Sequence, residues 1–129
     1  MLDHLTVRLT DYAAGKAFFT AALAPLGYAV LMAFDLPGGG QICGLGEGGK
    51  PDLWLAPATA EHPAPVGQHL AFQAKGHAQV DAFHAAAIAA GATDDGAPGG
   101  RAEYHPDYYG AFVVAPNGMF LEACTHHAE

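Results

Sequence analysis

Two histidines carry the first chemical signal of the chain. His4 lies in Asp3-His4-Leu5-Thr6-Val7 and His69 in Gln68-His69-Leu70-Ala71-Phe72, an offset of 65 residues. The same offset relates the helix-like run Ala17-Phe18-Phe19-Thr20-Ala21-Ala22-Leu23-Ala24 to Ala82-Phe83-His84-Ala85-Ala86-Ala87-Ile88-Ala89. A strand and a helix repeated at one spacing imply two modules about a pseudo-twofold axis, with matching positions converging at the centre. Two imidazoles meeting in the middle of a sheet are material for chemistry.

Further chemistry-bearing residues lie near the end of the chain. Glu122 is flanked by Phe120, Leu121 and Ala123, and a carboxylate buried alone is costly, so it requires a cation, a hydrogen-bond donor or a proton. Residues 98–110 hold Arg101, Tyr104, His105, Tyr108 and Tyr109, more than a connector needs. Read as a loop over the mouth of the fold, the segment lets Arg101 clamp an anionic group while Tyr108 or Tyr109 donates a phenolic hydrogen bond. The competing account, of equal weight, has the tyrosines plug or rim the site. Arg8, on the same strand face as His4, is either a second anion contact or half of an internal salt bridge. Cys124 shares the face of Glu122 as a possible pocket wall, and Cys43 and Cys124, with no C-x-x-C spacing, read as two buried thiols of a reducing compartment. His62, His77, His84, His126 and His127 receive no ligand role.

The elements that must position these residues follow from periodicity. Residues 2–9 alternate, with Leu5, Val7 and Leu9 on one face and His4, Thr6 and Arg8 on the other, which predicts a half-buried strand. Asp11 precedes helical spacing that Pro25 and Gly27 stop. Strands are expected near 28–34, 41–45 and 52–56, then a proline-bearing linker over 57–67. The second half restarts with a strand at 69–74, a helix at 78–90, strands at 111–114 and 119–125, and a type I′ turn at Asn117-Gly118. The strand after the second helix has no clear place, and 93–109 reads as irregular. The expected core is Leu5, Val7, Phe18, Leu23, Leu70, Phe72, Phe83 and Ile88.

Length and composition bound the whole. With 129 residues, 51% of them hydrophobic and 14% charged, the chain reads as one domain, residues 1–129, with modules at about 1–58 and 67–127. Five Lys+Arg against thirteen Asp+Glu give a formal charge of −8, which argues against a nucleic-acid partner. No run approaches a membrane span and no signal core follows the amino terminus, so the expected location is cytoplasmic.

The β-α-β-β-β order repeated twice, the two histidine strands, and the ending Ala115-Pro116-Asn117-Gly118-Met119-Phe120-Leu121-Glu122-Ala123 resemble the vicinal oxygen chelate superfamily, the group of glyoxalase I, bleomycin resistance proteins and extradiol dioxygenases. The resemblance covers essentially the whole chain. It implies an α+β fold of two βαβββ modules forming a curled mixed sheet with helices outside, assembled as a homodimer. In metal-using members the ion is held from the first, fourth, fifth and eighth strands, which carries over to His4, His69 and Glu122. Glu122 is then also the catalytic carboxylate.

Such a triad suits a divalent metal such as Zn, Fe, Mn or Ni, with positions left open for substrate. The chain departs from the glyoxalase I pattern at the fourth strand, where the expected ligand position falls near Leu55. The resemblance therefore implies a metal-dependent lyase, isomerase or dioxygenase acting on a small oxygen-rich substrate, with Arg8, Arg101, Tyr104, Tyr108 and Tyr109 as substrate contacts. The alternative it implies is a metal-free antibiotic-binding protein of the bleomycin-resistance type, for which an acidic chain suits a basic ligand. A third reading is an interaction module whose cup is filled by its own aromatics.

Overall fold

The computed structural model describes residues 1–129. The first module runs β1 (Leu5–Leu9), α1 (Tyr12–Leu23), a 3-10 turn (Ala24–Leu26), β2 (Ala29–Asp35), β3 (Gln41–Gly46) and β4 (Leu53–Pro57). The second runs β5 (His69–Gln73), α2 (His77–Ala89), β6 (Thr93–Gly100), β7 (Tyr109–Val114) and β8 (Phe120–Thr125). This is the expected α+β architecture of two βαβββ modules. Its sheets are separate ladders, ordered β1-β4-β3-β2 and β5-β8-β7-β6. In each, the first strand runs parallel to the last and the other pairs are antiparallel.

Local chemistry sets the element ends. Asp11 caps α1 by accepting from the Ala14 amide at 3.0 Å, satisfying one of the orphan donors of the first turn. Gly27 ends the following 3-10 turn at φ 87, a left-handed conformation that favours glycine. The β7–β8 turn differs from the expected type I′: only Gly118 takes positive φ, 84, and its amide closes on Ala115 O at 2.8 Å. Pro116 at the first corner holds a negative φ and so excludes the primed turn.

One cluster of 22 buried residues joins both modules, and α1 packs against α2. Val7, Phe18, Leu23, Phe72 and Phe83 are buried as expected, and Leu5 and Leu70 pack partly buried against them. Ile88 does not join: it is 38% exposed, because α2 turns Val80, Phe83 and Ala87 inward instead. The segment read as irregular contains β6, an edge strand with two register shifts against β7. Pro98, Gly99 and Gly100 thus lie in β6, and Tyr109 and Gly110 in β7, leaving residues 101–108 as the loop. Cys43 and Cys124 are free and buried. No helix is long and apolar enough to cross a membrane.

Candidate functional site

Each sheet covers one face with helix and core and leaves the other open. On β8, Leu121 and Ala123 enter the core, so alternation sends Glu122 and Cys124 to the open face. The register pairs Ala71 with Glu122 and His69 with Phe120, which puts the imidazole one step along the same face. There His69 Nε2 donates to Glu122 Oε2 at 2.9 Å. From the other side the Tyr108 hydroxyl donates to Glu122 Oε1. Gly110 makes that approach possible, since a Cβ there would stand 3.0 Å from Tyr108 Cε1 and 3.4 Å from Glu122 Oε1. The carboxylate is only 4% exposed and meets the condition its burial imposes: both oxygens have donors.

Burial holds the Tyr108 phenol protonated well above its ordinary range, and the Cys124 thiol and Glu122 carboxylate beside it add to the effect. Burial likewise raises Cys124, which therefore remains a thiol and walls the site. The His126 ring meets Tyr108 edge-on at 4.9 Å.

His4 is not part of this group. Its Nδ1 lies 2.6 Å from Asp3 Oδ1 on the exposed rim, where Lys50 also pairs with Asp3. No cluster of three or more His, Cys, Asp or Glu side chains is arranged to hold a metal ion. Of the three candidate ligands the chain joins His69 and Glu122, and each oxygen of Glu122 accepts one hydrogen bond.

The remaining candidates divide by face. Arg101 lies with its guanidinium carbon 5.5 Å from the Phe112 ring centroid, and Phe112 pairs with Glu122 in register with its ring 6.3 Å from His69. Tyr104 is 63% exposed and sits edge-on to Tyr108. Arg8 donates to Pro57 O at 3.3 Å. Tyr109 lies apart from that group: alternation places it with Ala111 and Val113 on the helix side, where its hydroxyl donates to Asp81 at 2.8 Å and its ring stacks on His77 at 3.8 Å. Hydrogen bonding to Asp81 is the main cause of its raised pKa.

The first module contributes what the sequence reading missed. Leu55, placed near the fourth-strand ligand position, is buried in the core. The residue paired with Thr6 is Trp54, stacked on Phe34 at 6.0 Å and 16°. Phe34 is 50% exposed. Gly44 lies opposite Trp54, and a Cβ there would come within 3.1 Å of the indole. The 65-residue offset maps Ala71 onto Thr6, but their partners Glu122 and Trp54 do not share that offset, so their correspondence follows from the register alone.

The sequence matches the Glyoxalase/Bleomycin resistance protein/Dioxygenase superfamily over residues 1–118, and the chain belongs to it. Among solved structures it is similar to a glyoxalase/bleomycin resistance protein from Albidiferax ferrireducens T118, at 28% identity and TM-score 0.75, covering 95% of this chain and 96% of that one. TnmS3, an antibiotic binding protein from Streptomyces sp. CB03234, is 19% identical at TM-score 0.66, with 97% and 94% covered. Glyoxalase I from Zea mays is 19% identical at TM-score 0.69, covering 99% of this chain but 45% of that one. The last two likenesses concern fold alone. Among curated proteins none matches the chain.

Proposed function

We propose that the protein binds a small organic molecule against the open faces of its sheets and does so without a metal ion. The observation that carries this reading is the donor set: His4 pairs with Asp3 on the rim, which leaves His69 and Glu122 as a pair rather than a triad. Supporting it, the Phe34–Trp54 stack lies on an open face with no core of its own to fill, and exposed aromatic surface of that kind serves ligand contact. TnmS3, of the same fold, is an antibiotic binding protein. Two free cysteines fit a cytoplasmic location.

Calorimetry in EDTA tests the reading, with metal-free bleomycin and the neutral aromatic naphthalene-2-carboxamide as probes. We expect binding of at least one probe, weakened in Phe34→Ala. Binding that appears only after stoichiometric Zn, Fe, Mn or Ni is added overturns it.

A second reading, a metal-dependent lyase, isomerase or dioxygenase, is favoured by one observation: His69 is 51% exposed beside the buried carboxylate, so a homodimer partner could bring further ligands to it. The edge strand β2, with Val30, Met32 and Phe34 exposed, is the surface such a partner would cover. Light scattering together with elemental analysis of the wild type and His4→Ala separates the readings. A dimer whose stoichiometric metal is lost in His4→Ala supports the second.

A further inference from the structure

We infer that the ligand carries an oxyanion, a carboxylate or phosphate-type group, and that Arg101 receives it beside Phe112. This rests on the binding reading above and names the chemistry of its ligand. The chain has five basic side chains against thirteen acidic ones. Lys50 pairs with Asp3 and Lys75 with Glu47, yet neither arginine appears in any of the six ion pairs. In so acidic a chain, a cation kept clear of every carboxylate is open to an anion from outside.

Arg101 is also held in one orientation. Nη1 donates to Gly100 O at 3.1 Å and Nη2 to Ala97 O at 3.0 Å, while the guanidinium rests over the Phe112 ring. Two glycines leave room for it. A Cβ at Gly99 would stand 2.9 Å from Nη1, and one at Gly96 would stand 3.0 Å from Phe112 Cδ2 and 3.4 Å from Nη2. With two of its five N–H donors on carbonyls, the planar fork keeps the others for a ligand. Phe112 neighbours both this cation and His69 and pairs with Glu122, so the oxyanion would bind on the face that carries the Glu122 group. The overall charge of −8 thus does not by itself imply a basic ligand, because a cation in direct contact outweighs more distant, screened carboxylates.

Three probes of one shape test this by calorimetry: naphthalene-2-carboxylate, 2-naphthyl phosphate and the neutral naphthalene-2-carboxamide. At least one anion is expected to bind about tenfold or more tighter than the amide, as a charge-assisted hydrogen bond provides. Whichever anion is tighter identifies the source. The advantage should vanish in Arg101→Gln, shrink in Gly99→Ala, which keeps the charge but displaces it, and survive in Lys75→Gln, which changes net charge equally. Should Arg101→Gln misfold, Gly99→Ala and Lys75→Gln decide. Amide and anion binding equally, an advantage that survives Arg101→Gln, or one lost in Lys75→Gln overturns the inference and leaves the binding reading standing. Failure of bleomycin and all three naphthalene probes to bind overturns both.

Discussion

The two modules share a backbone plan and differ at the middle of the last strand. In the first, the open-face neighbour of the opening strand is Trp54; in the second it is Glu122. Behind each, the core side of the same pair is filled by apolar residues of complementary size, Val7 with Leu55 and Phe72 with Ala123. A glycine on the adjacent strand makes room in both, Gly44 under Trp54 and Gly110 beside Tyr108 and Glu122. The helix-facing half of each strand therefore specifies the fold, and the other half is free to become an aromatic shelf in one module and a hydrogen-bonded carboxylate in the other. Edges diverge likewise: β2 leaves Val30, Met32 and Phe34 exposed, whereas β6 carries Asp94, Asp95, Pro98 and two register shifts, features that discourage edge pairing.

The comparison is broken most forcefully at the core. Phe18 and Phe83 occupy matching positions and are both buried in the cluster that spans the modules. Phe18→Ala and Phe83→Ala should each cost about 3–5 kcal/mol in urea denaturation, and each should leave a single transition followed equally by Trp54 fluorescence and far-UV dichroism. Two separate transitions would mean that the modules unfold independently.

The next largest effect sets Glu122 against Trp54. Glu122→Leu leaves the Tyr108 hydroxyl and the His69 imidazole without their acceptor and should cost about 1–3 kcal/mol. Trp54→Leu, at a partly exposed position, should cost less while removing half of the aromatic shelf. Equal costs would show that the shelf is structural and would remove the contrast between the two open faces.

Most elements were legible because they follow simple periods. Alternation gave β1, and Asp11, Pro25 and Gly27 bracketed α1 and its 3-10 turn. β6 was not, because Thr-Asp-Asp-Gly-Ala-Pro-Gly-Gly has almost no strand propensity; it is a strand because β7 offers a ladder to pair with. The site was half legible. Sequence placed His69, Glu122 and Cys124 on one face, but it could not show that Tyr108 folds back from the loop onto Glu122, that Tyr109 turns to α2, or that His4, lying just before β1, pairs with Asp3 instead. Those outcomes depend on strand start and register, which periodicity leaves free by a residue.

A smaller effect is expected in alkali, and there the modules should agree. Burial raises the Tyr28 phenol, with Asp52 adding to it, as burial raises Tyr108. Below pH of about 10 both folded and unfolded chains keep these phenols protonated, so no pH dependence arises. Above it the unfolded phenols ionise first and the unfolded state holds fewer protons, so stability falls as pH rises. Urea midpoints at pH 8 and 11 should show that loss in the wild type and a shallower loss in both Tyr28→Phe and Tyr108→Phe. A wild-type slope that neither variant changes would detach both phenols from the alkaline loss.

The smallest contrast lies at the helix starts. α1 is capped within its own sequence by Asp11, whereas α2 begins at Gly76 with no side-chain cap. The Glu129 carboxylate instead comes from the far end of the chain to accept from the His77 amide at 2.8 Å. A local cap is close to its helix even in transiently opened states, while a remote one is lost whenever the segment after β8 detaches. Asp11→Ala should therefore destabilise by about 1 kcal/mol, and Glu129→Ala by only a few tenths of a kcal/mol, roughly what an exposed charge at a helix start provides. Amide exchange supplies the local reading. In Glu129→Ala the His77 amide should exchange faster with the core of α2 unchanged, whereas in Asp11→Ala the Ala14 amide and the global unfolding midpoint should move together. Equal shifts in global stability would show that the carboxyl-terminal segment is as firmly part of the fold as the first helix cap.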